Sequence, residues 1–468
     1  MNLTLNLISF LGIFGLCFIA WLGSEDRRTV PWKVIFWGVG LQLAIGLFVF
    51  TLPQGRDFIA TLNDALNALI DASEAGARFL FGPLMVPDRL LTPGPGDAGR
   101  WIVRAVGQPY VPVPGDRLGV NFLDVGYIFA FRALPQVIFF SAIVALLYRL
   151  NIIQPIVKVF AIVFRRILGI SGAEALSGSA NIFVGIESAI AVKPFLAEMT
   201  RSELCAILAS CFGSIASTVL GLYAGLLRPT FPTITGHLMS ASLLTIPACF
   251  VIAKILVPEK EEPVTLGHIP EAPTDENEKK PGVMDSLIVG ALDGVNMAVG
   301  IAAVIIAIIG LVALLDSLFQ GLSGLPGPFG AVFSVVTLDN IFGVLFVPLT
   351  FLTGVSLEWN ELWQSSVLIG QRVLQTSIPP YLKLATLSAN EAIDDRAMLI
   401  VSYVLCGFAH IPSYGIFVGG LASLVPERRS DISSLGWKSL WAATLATLMT
   451  GCIAGVYYFG DSAAVLGK

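Results

Sequence analysis

Charge is scarce in this sequence. Only 13% of its 468 residues are Asp, Glu, Lys or Arg, against about 25% in a soluble domain, which excludes an ordinary water-soluble enzyme of several domains. An excess of positive charge is also missing. The 28 basic and 33 acidic residues leave a net charge of −5, so no nucleic-acid partner is expected. Histidine is limited to His237, His268 and His410. The six cysteines (Cys17, Cys205, Cys211, Cys249, Cys406 and Cys452) sit in apolar runs without a CxxC pair. They read as small buried hydrophobes rather than metal ligands or a disulfide frame, and no enzymatic cofactor is called for. Low hydrophobicity is absent too, which excludes a disordered scaffold: 55% of residues are hydrophobic and the mean hydropathy is +0.80. These numbers describe one integral membrane body. It is unusually rich in helix breakers, with 46 glycines and 27 prolines, which points to broken or re-entrant helices.

A spanning helix needs about 20 apolar residues. Runs of that length cover Leu3 to Leu22, Val34 to Leu52, Val125 to Leu147, Leu204 to Leu227, Leu238 to Val257, Asp285 to Leu318, Ala397 to Leu424 and Leu435 to Phe459. The first has no basic stretch before it, and Arg27, Arg28 and Lys33 follow it. It therefore reads as a retained span with the N-terminus outside. Residues 53–124 carry eight acidic residues, six arginines and Pro-Gly-rich text (TPGPGDAG, PYVPVPGD). This predicts an outer loop opened by an amphipathic helix near Phe58 to Phe81. Arg149, Lys158, Arg165 and Arg166 interleave with Ile, Val and Phe as in a helix lying at the cytoplasmic interface, and Val332 to Trp359 reads as a second interfacial segment.

Two stretches are apolar enough to enter the membrane yet too polar to face lipid. Gly172 to Lys193 holds Glu174, Ser177, Ser179, Asn181, Gly185, Glu187 and Ser188 before Lys193-Pro194. Leu362 to Leu384 holds Gln364, Ser365, Ser366, Gln371, Arg372, Gln375, Thr376 and Ser377, with Pro379-Pro380 beside them. Re-entrant hairpins fit both. Two halves then share one order: interfacial helix, hairpin, span, loop, span. The first hairpin enters from the cytoplasm and the second from outside. The expected fold is all-α and integral to the membrane, with about eight spans and two hairpins in an inverted repeat. It divides into residues 1–124 (two spans and a periplasmic loop), 125–257 (first repeat, hairpin 172–199), 258–285 (cytoplasmic loop), 286–328 (long bridging span) and 329–468 (second repeat, hairpin 362–385).

Three stretches carry a family resemblance: SGAEALSGSANIFVGIESAIAVKPFLAEMTRSEL, YVLCGFAHIPSYGIFVGGLASLVPERRSDI and GYIFAFRALPQVIFFSAIVALLY. They resemble the core of the concentrative nucleoside transporters, and the likeness runs over roughly residues 1–460. It implies a homotrimeric, multi-pass symporter, here of a bacterial inner membrane, that uses a Na⁺ or H⁺ gradient. The two hairpins and the broken spans after them would form the site. Carried onto this sequence, the Na⁺ ligands are the side chains of Asn181 and Ser214 and the carbonyls of Val184 and Ile215. The solute positions are Gly185, Ile186, Glu187 and Ser188 in the first hairpin, Thr376 and Ser377 in the second, and Phe408, His410 and Ser413 in the following span.

At the solute positions the residues depart from the family pattern. Its Gly-Gln-Thr-Glu is Gly185-Ile186-Glu187-Ser188 here, its Asn-Glu is Thr376-Ser377, and its Phe-Ala-Asn is Phe408-Ala409-His410. Losing a carboxylate that accepts sugar hydroxyls removes strong charge-assisted hydrogen bonds, so altered specificity is expected: a modified nucleoside, a nucleobase or another small polar solute. An intramembrane carboxylate is functional by default. Burial would raise the pKa of Glu187 and make it a candidate H⁺ carrier. His410 is then a donor to solute, a partner of Glu187 or a pH sensor. Arg372 and Lys383 are expected to snorkel or pair with a buried acid, and Glu174 to cap its helix. Two other readings stay open: an intramembrane enzyme using Glu187 and His410 as an acid–base pair, and a transport-inactive sensor.

Overall fold

A computed structural model describes residues 3–82, 85–86, 128–270, 282–324, 333, 336–461 and 465–467. The Pro-Gly-rich text of the outer loop, the middle of the charged loop (271–281) and residues 325–329 of the loop at 319–329 lie outside the described residues. Among the described residues the structure is all helical.

The helices begin and end where local chemistry dictates. Helix α1 (Leu3–Leu22) and helix α2 (Trp32–Phe50) are the first two spans. Pro53 then opens α3 (Pro53–Phe81) in the first turn, where its missing N–H costs nothing. Its buried positions Ile59, Asn63, Asn67, Ile70, Glu74 and Ala77 recur every three or four residues, giving one inward stripe. Helix α4 (Phe129–Arg149) leads to α5 (Ile153–Leu168). There the buried stripe Ile153, Val157, Ala161, Phe164 and Leu168 ends in Arg165 and Arg166 and in Gly169 at φ 70°, a left-handed stop that glycine tolerates. An amphipathic helix is thus present where one was expected.

The first hairpin descends as α6 (Gly172–Ala180) and returns as a 3₁₀ segment (Ile186–Phe195). The re-entrant hairpin expected here is present, with a returning arm that is 3₁₀. Pro194 lies inside the returning arm; it has no N–H and crowds the residue before it. Next come α7 (Arg201–Gly213) and α8 (Ser217–Leu227), one span interrupted at residues 214–216, then α9 (Ile234–Leu256) and the 40-residue α10 (Val283–Leu322). The second repeat holds α11 (Leu338–Leu352), the second hairpin α12 (Trp359–Gln375) and α13 (Ile378–Ala389), the interrupted span α14 (Asp395–Leu405) and α15 (Ile411–Leu424), and α16 (Arg429–Tyr457). The second interfacial element is thus shorter than expected. Gly354 at φ +68° breaks the chain before Trp359, which already belongs to the hairpin.

Among the described residues, seven segments are long and apolar enough to cross a membrane: Leu3–Leu22, Trp32–Phe50, Phe129–Arg149, Arg201–Leu227, Ile234–Leu256, Val283–Leu322 and Pro426–Tyr457. The eighth expected span is the pair α14 and α15, whose break keeps either half below spanning length. Burial divides the molecule. The most apolar stretch of α9 is 89% buried and that of α10 only 11%. At about 1.5 Å per residue α10 is about 60 Å long, more than a hydrocarbon core of about 30 Å requires. It packs on α4, where a Cβ at Gly290 or Gly294 would crowd Ile138, Ser141, Ala142 and Ala145, the close approach that small residues permit in membranes.

One face gathers the basic turns foreseen for the cytoplasm. Glu25 pairs with Arg201 (3.0 Å) and Lys438 (2.5 Å), while Arg428 donates to the carbonyls of Ala197 and Met199 (both 2.8 Å). Burial works against the charge of Glu25, but Arg201 and Lys438 outweigh it and hold its carboxyl below the usual range. His268 is exposed on the adjoining loop.

Candidate functional site

Each hairpin tip meets a helix break. Ser171 and Glu174 form a reciprocal capping box at the base of the first hairpin, satisfying two backbone donors. Glu174 therefore caps, as expected, and its other oxygen pairs with buried Lys254 at 2.7 Å. That lysine was a missed signal: one charge inside the apolar run Leu238 to Val257. At the tip, Asn181 is fully buried and ends α6. One terminal atom of its amide lies 3.0 Å from Ser210 Oγ. The other lies 2.7 Å from Gly185 O and 3.3 Å from Val184 O. Amide nitrogen and oxygen are assigned from such surroundings. With nitrogen at the second position, the amide donates to both carbonyls. With oxygen there, three oxygens converge as a hard cation's ligands do.

The interrupted span runs past this tip. Ser214 and Ala216 adopt extended backbone, and Ser217 N donates to Phe183 O at 3.0 Å, which ties the break to the hairpin. Ser214 Oγ and the Ile215 side chain are buried, and Ser214 Oγ has no hydrogen-bond partner. An orphaned buried hydroxyl at an unwound helix is a further oxygen for a cation. The donors are neutral amide, hydroxyl and carbonyl oxygens, and no group of three His, Cys, Asp or Glu suited to a metal occurs among the described residues. The set fits a monovalent hard ion.

The second tip mirrors the first. Thr376 sits at φ +139°, a strained value for a β-branched residue. Ser377 Oγ donates to Gly407 O at 3.1 Å, tying the second hairpin to the second break. The two breaks then touch: a Cβ on Gly407 would overlap Gly213 O, so glycine permits the crossing. Aromatic rings continue the chain of contacts. Phe417 lies beside the position of a Cβ on Gly185 (4.0 Å) and meets Phe212 (5.0 Å) and Phe408 (6.1 Å). Phe408 in turn meets His410 (5.9 Å).

Three expectations are corrected. Glu187 is exposed, and its Oε2 accepts from its own tip, Gly185 N, at 2.9 Å; a carboxylate on a two-residue turn prefers that local donor. His410 turns inward as the N-cap of α15. Its Nδ1 faces Ser413 N (3.3 Å) and Ser413 Oγ (2.9 Å), because the break leaves those donors orphaned. Glu187 and His410 share no hydrogen bond or ion pair, so the acid–base couple of the enzymatic reading does not form. Arg372, fully buried, neither snorkels nor meets an acid; it donates to Val404 O and to Thr447 Oγ1 (2.8 Å). Lys383 is exposed. Ser188 is buried with its hydroxyl 3.3 Å from Ser177 Oγ, and Ile186 is described only in its backbone.

The fold that carries these tips and breaks is shared with known proteins. The family model described as Na⁺ dependent nucleoside transporter C-terminus matches residues 237–455, its N-terminal counterpart matches 11–84, and a nucleoside recognition model matches 130–230. An uncharacterized transporter of Haemophilus influenzae is 32% identical, covering 98% of this chain and 99% of that protein. Human solute carrier family 28 member 3 is 30% identical over 96% of this chain and 60% of its own greater length. The structure of CNTnw in an inward-facing substrate-bound state superposes with a TM-score of 0.80 at 31% identity, covering 97% of this chain and 98% of that one. This chain belongs to the concentrative nucleoside transporter family.

As a concentrative nucleoside transporter it is a multi-pass membrane protein and not an enzyme. Its all-helical fold matches that of a solved member of the family, and the interrupted spans expected from the resemblance are present.

Proposed function

We propose that this chain is a cation-coupled symporter, Na⁺ favoured over H⁺, for a nucleoside or related small polar solute, working as a homotrimer in a bacterial inner membrane. The residue blocks 125–257 and 329–468 act as its two repeats. Asn181, Ser214 and the carbonyls of Val184 and Ile215 would hold the ion, which supplies charge that draws the first hairpin onto the first break. The observation that carries this reading is the orphaned hydroxyl of Ser214, buried at a break tied to the tip where the Asn181 amide faces two carbonyls.

Solute lies between the tips and the second break, against Gly185, Ile186, Glu187, Ser188, Thr376, Ser377, Phe408, His410 and Ser413. Several of these are already engaged within the protein. Ser377 is bonded to Gly407 O and His410 to Ser413, so neither replaces the carboxylate and amide of the family pattern. That supports altered specificity. Glu187, pointing outward from the tip, is the remaining carboxylate for a solute hydroxyl or amine.

A thermal-shift panel of nucleosides, nucleobases and modified nucleosides, with NaCl against choline chloride, tests both parts. A hit strengthened by Na⁺, and losing that Na⁺ dependence in Asn181→Ala, is expected. Stabilisation indifferent to Na⁺, in wild type and variant alike, would overturn the ion assignment. Uptake of uridine and adenosine at rates typical of the family would overturn the altered specificity.

A further inference from the structure

The last turn of the first arm of each hairpin reaches the last turn of the half-helix before each break. In the first repeat the group is neutral: Asn181, against Ser210 and Cys211 of α7 (3.0 and 3.5 Å). In the second it is Arg372, against Val404, the penultimate residue of α14. Helix α14 stops at residue 405, so its final carbonyls lack their usual donors, and the helix dipole gathers about half a negative charge there. Arg372 has no solvent exposure, and its Nε and Nη2 find no partner. A guanidinium deep in a membrane protein with no carboxylate is costly. Its visible compensation is the end of α14, with Thr447 Oγ1 beside it at 2.8 Å.

We propose that Arg372 is a tethered cation. It supplies permanently, at the second break, the positive charge that the first repeat takes from solution. This rests on reading the Asn181 site as a cation site. Two consequences follow. One exchangeable cation per protomer suffices, and the second break stays neutralised throughout the transport cycle. Arg372 is a positioning residue: it touches backbone and Thr447, and the exchangeable ion binds elsewhere.

The test titrates the purified full chain with NaCl against choline chloride, reading the thermal midpoint. Wild type and Arg372→Lys are expected to show single-site Na⁺ curves with a Hill slope of about 1, whereas Arg372→Gln, which keeps donors but loses charge, starts less stable and steepens toward about 2. Low-millimolar guanidinium should raise the midpoint of Arg372→Ala and not that of the wild type. If Arg372→Gln matches Arg372→Lys in midpoint and slope, the residue acts through hydrogen bonding alone and the proposal fails. It fails also if the charge-neutral variants are destabilised equally in every cation. If the alanine variant does not fold, the Lys–Gln contrast decides. Absence of any Na⁺ shift in the wild type would overturn the Asn181 site instead, leaving the guanidinium response to judge Arg372.

Discussion

At the scale of single residues, buried polar groups do more fastening than their number suggests. Arg396 donates to Gly354 O (2.7 Å), Asn6 Oδ1 (2.7 Å), Ser9 Oγ (3.0 Å) and Gly455 O (3.1 Å), joining α1, α14, α16 and the end of α11. Its neighbour Asp394 caps α14 by accepting from Ala397 N at 2.6 Å. Burial pushes the Asp394 carboxyl up to about 6; Ala397 N–H opposes, and nearby Glu361 adds to the rise. The folded protein therefore holds a proton that the unfolded chain releases between about pH 4 and 6. Stability from this group is greatest below that window and declines as pH rises through 6. The thermal midpoint should fall between about pH 4 and 6, and Asp394→Asn, still a good cap, should flatten that fall. The effect is on the order of 1 kcal/mol after solvent screening; an unchanged slope would reject it. None of these partners was legible in sequence. Arg372, Arg396 and Lys254 stand out as charges near apolar runs, but their partners lie 30 residues or more away for Arg372 and Arg396, and only the fold brings them close.

At the scale of elements, the breaks in α7–α8 and α14–α15 matter more than the helices themselves. Their crossing depends on Gly407 having no side chain where it meets the Gly213 carbonyl. Gly407→Ala should cost about 1–3 kcal/mol by overpacking and cut uptake at least tenfold. Gly415→Ala, in the same span with nothing within 4 Å of the new methyl, should be neutral or stabilising by about 0.5–1 kcal/mol. Equal behaviour of the two variants, in thermal midpoint and uptake, would show that the crossing is not tight. The hairpins were visible because polar text inside apolar runs cannot face lipid, and Pro and Gly marked their turns. The conformation of the returning arm of the first hairpin was not visible, since periodicity over ten residues separates α from 3₁₀ poorly.

At the scale of the whole molecule, burial is uneven. Helices α7 to α9 and α16 form the packed interior, while α10 shows nearly all its surface, with Val299 63% and Ile306 75% exposed. Such a helix faces lipid or other copies of the chain. A homotrimer of about 150 kDa, three times 49.9 kDa, is expected from light scattering after subtracting detergent; a monomer would overturn that reading. The sequence by itself determined the membrane class, the two polar hairpins and the order of elements repeated in each half. Those follow from local composition: low charge, apolar run length and helix breakers act wherever they stand in the chain. The tertiary structure decided what the exceptional side chains do. Glu187 turns outward to its own tip, His410 caps a helix, and Arg372 faces the end of α14 without an acid. The physical reason is that a buried polar group takes its role from the partners the fold brings within about 3 Å, and at the second helix break those partners include backbone atoms that no sequence motif names.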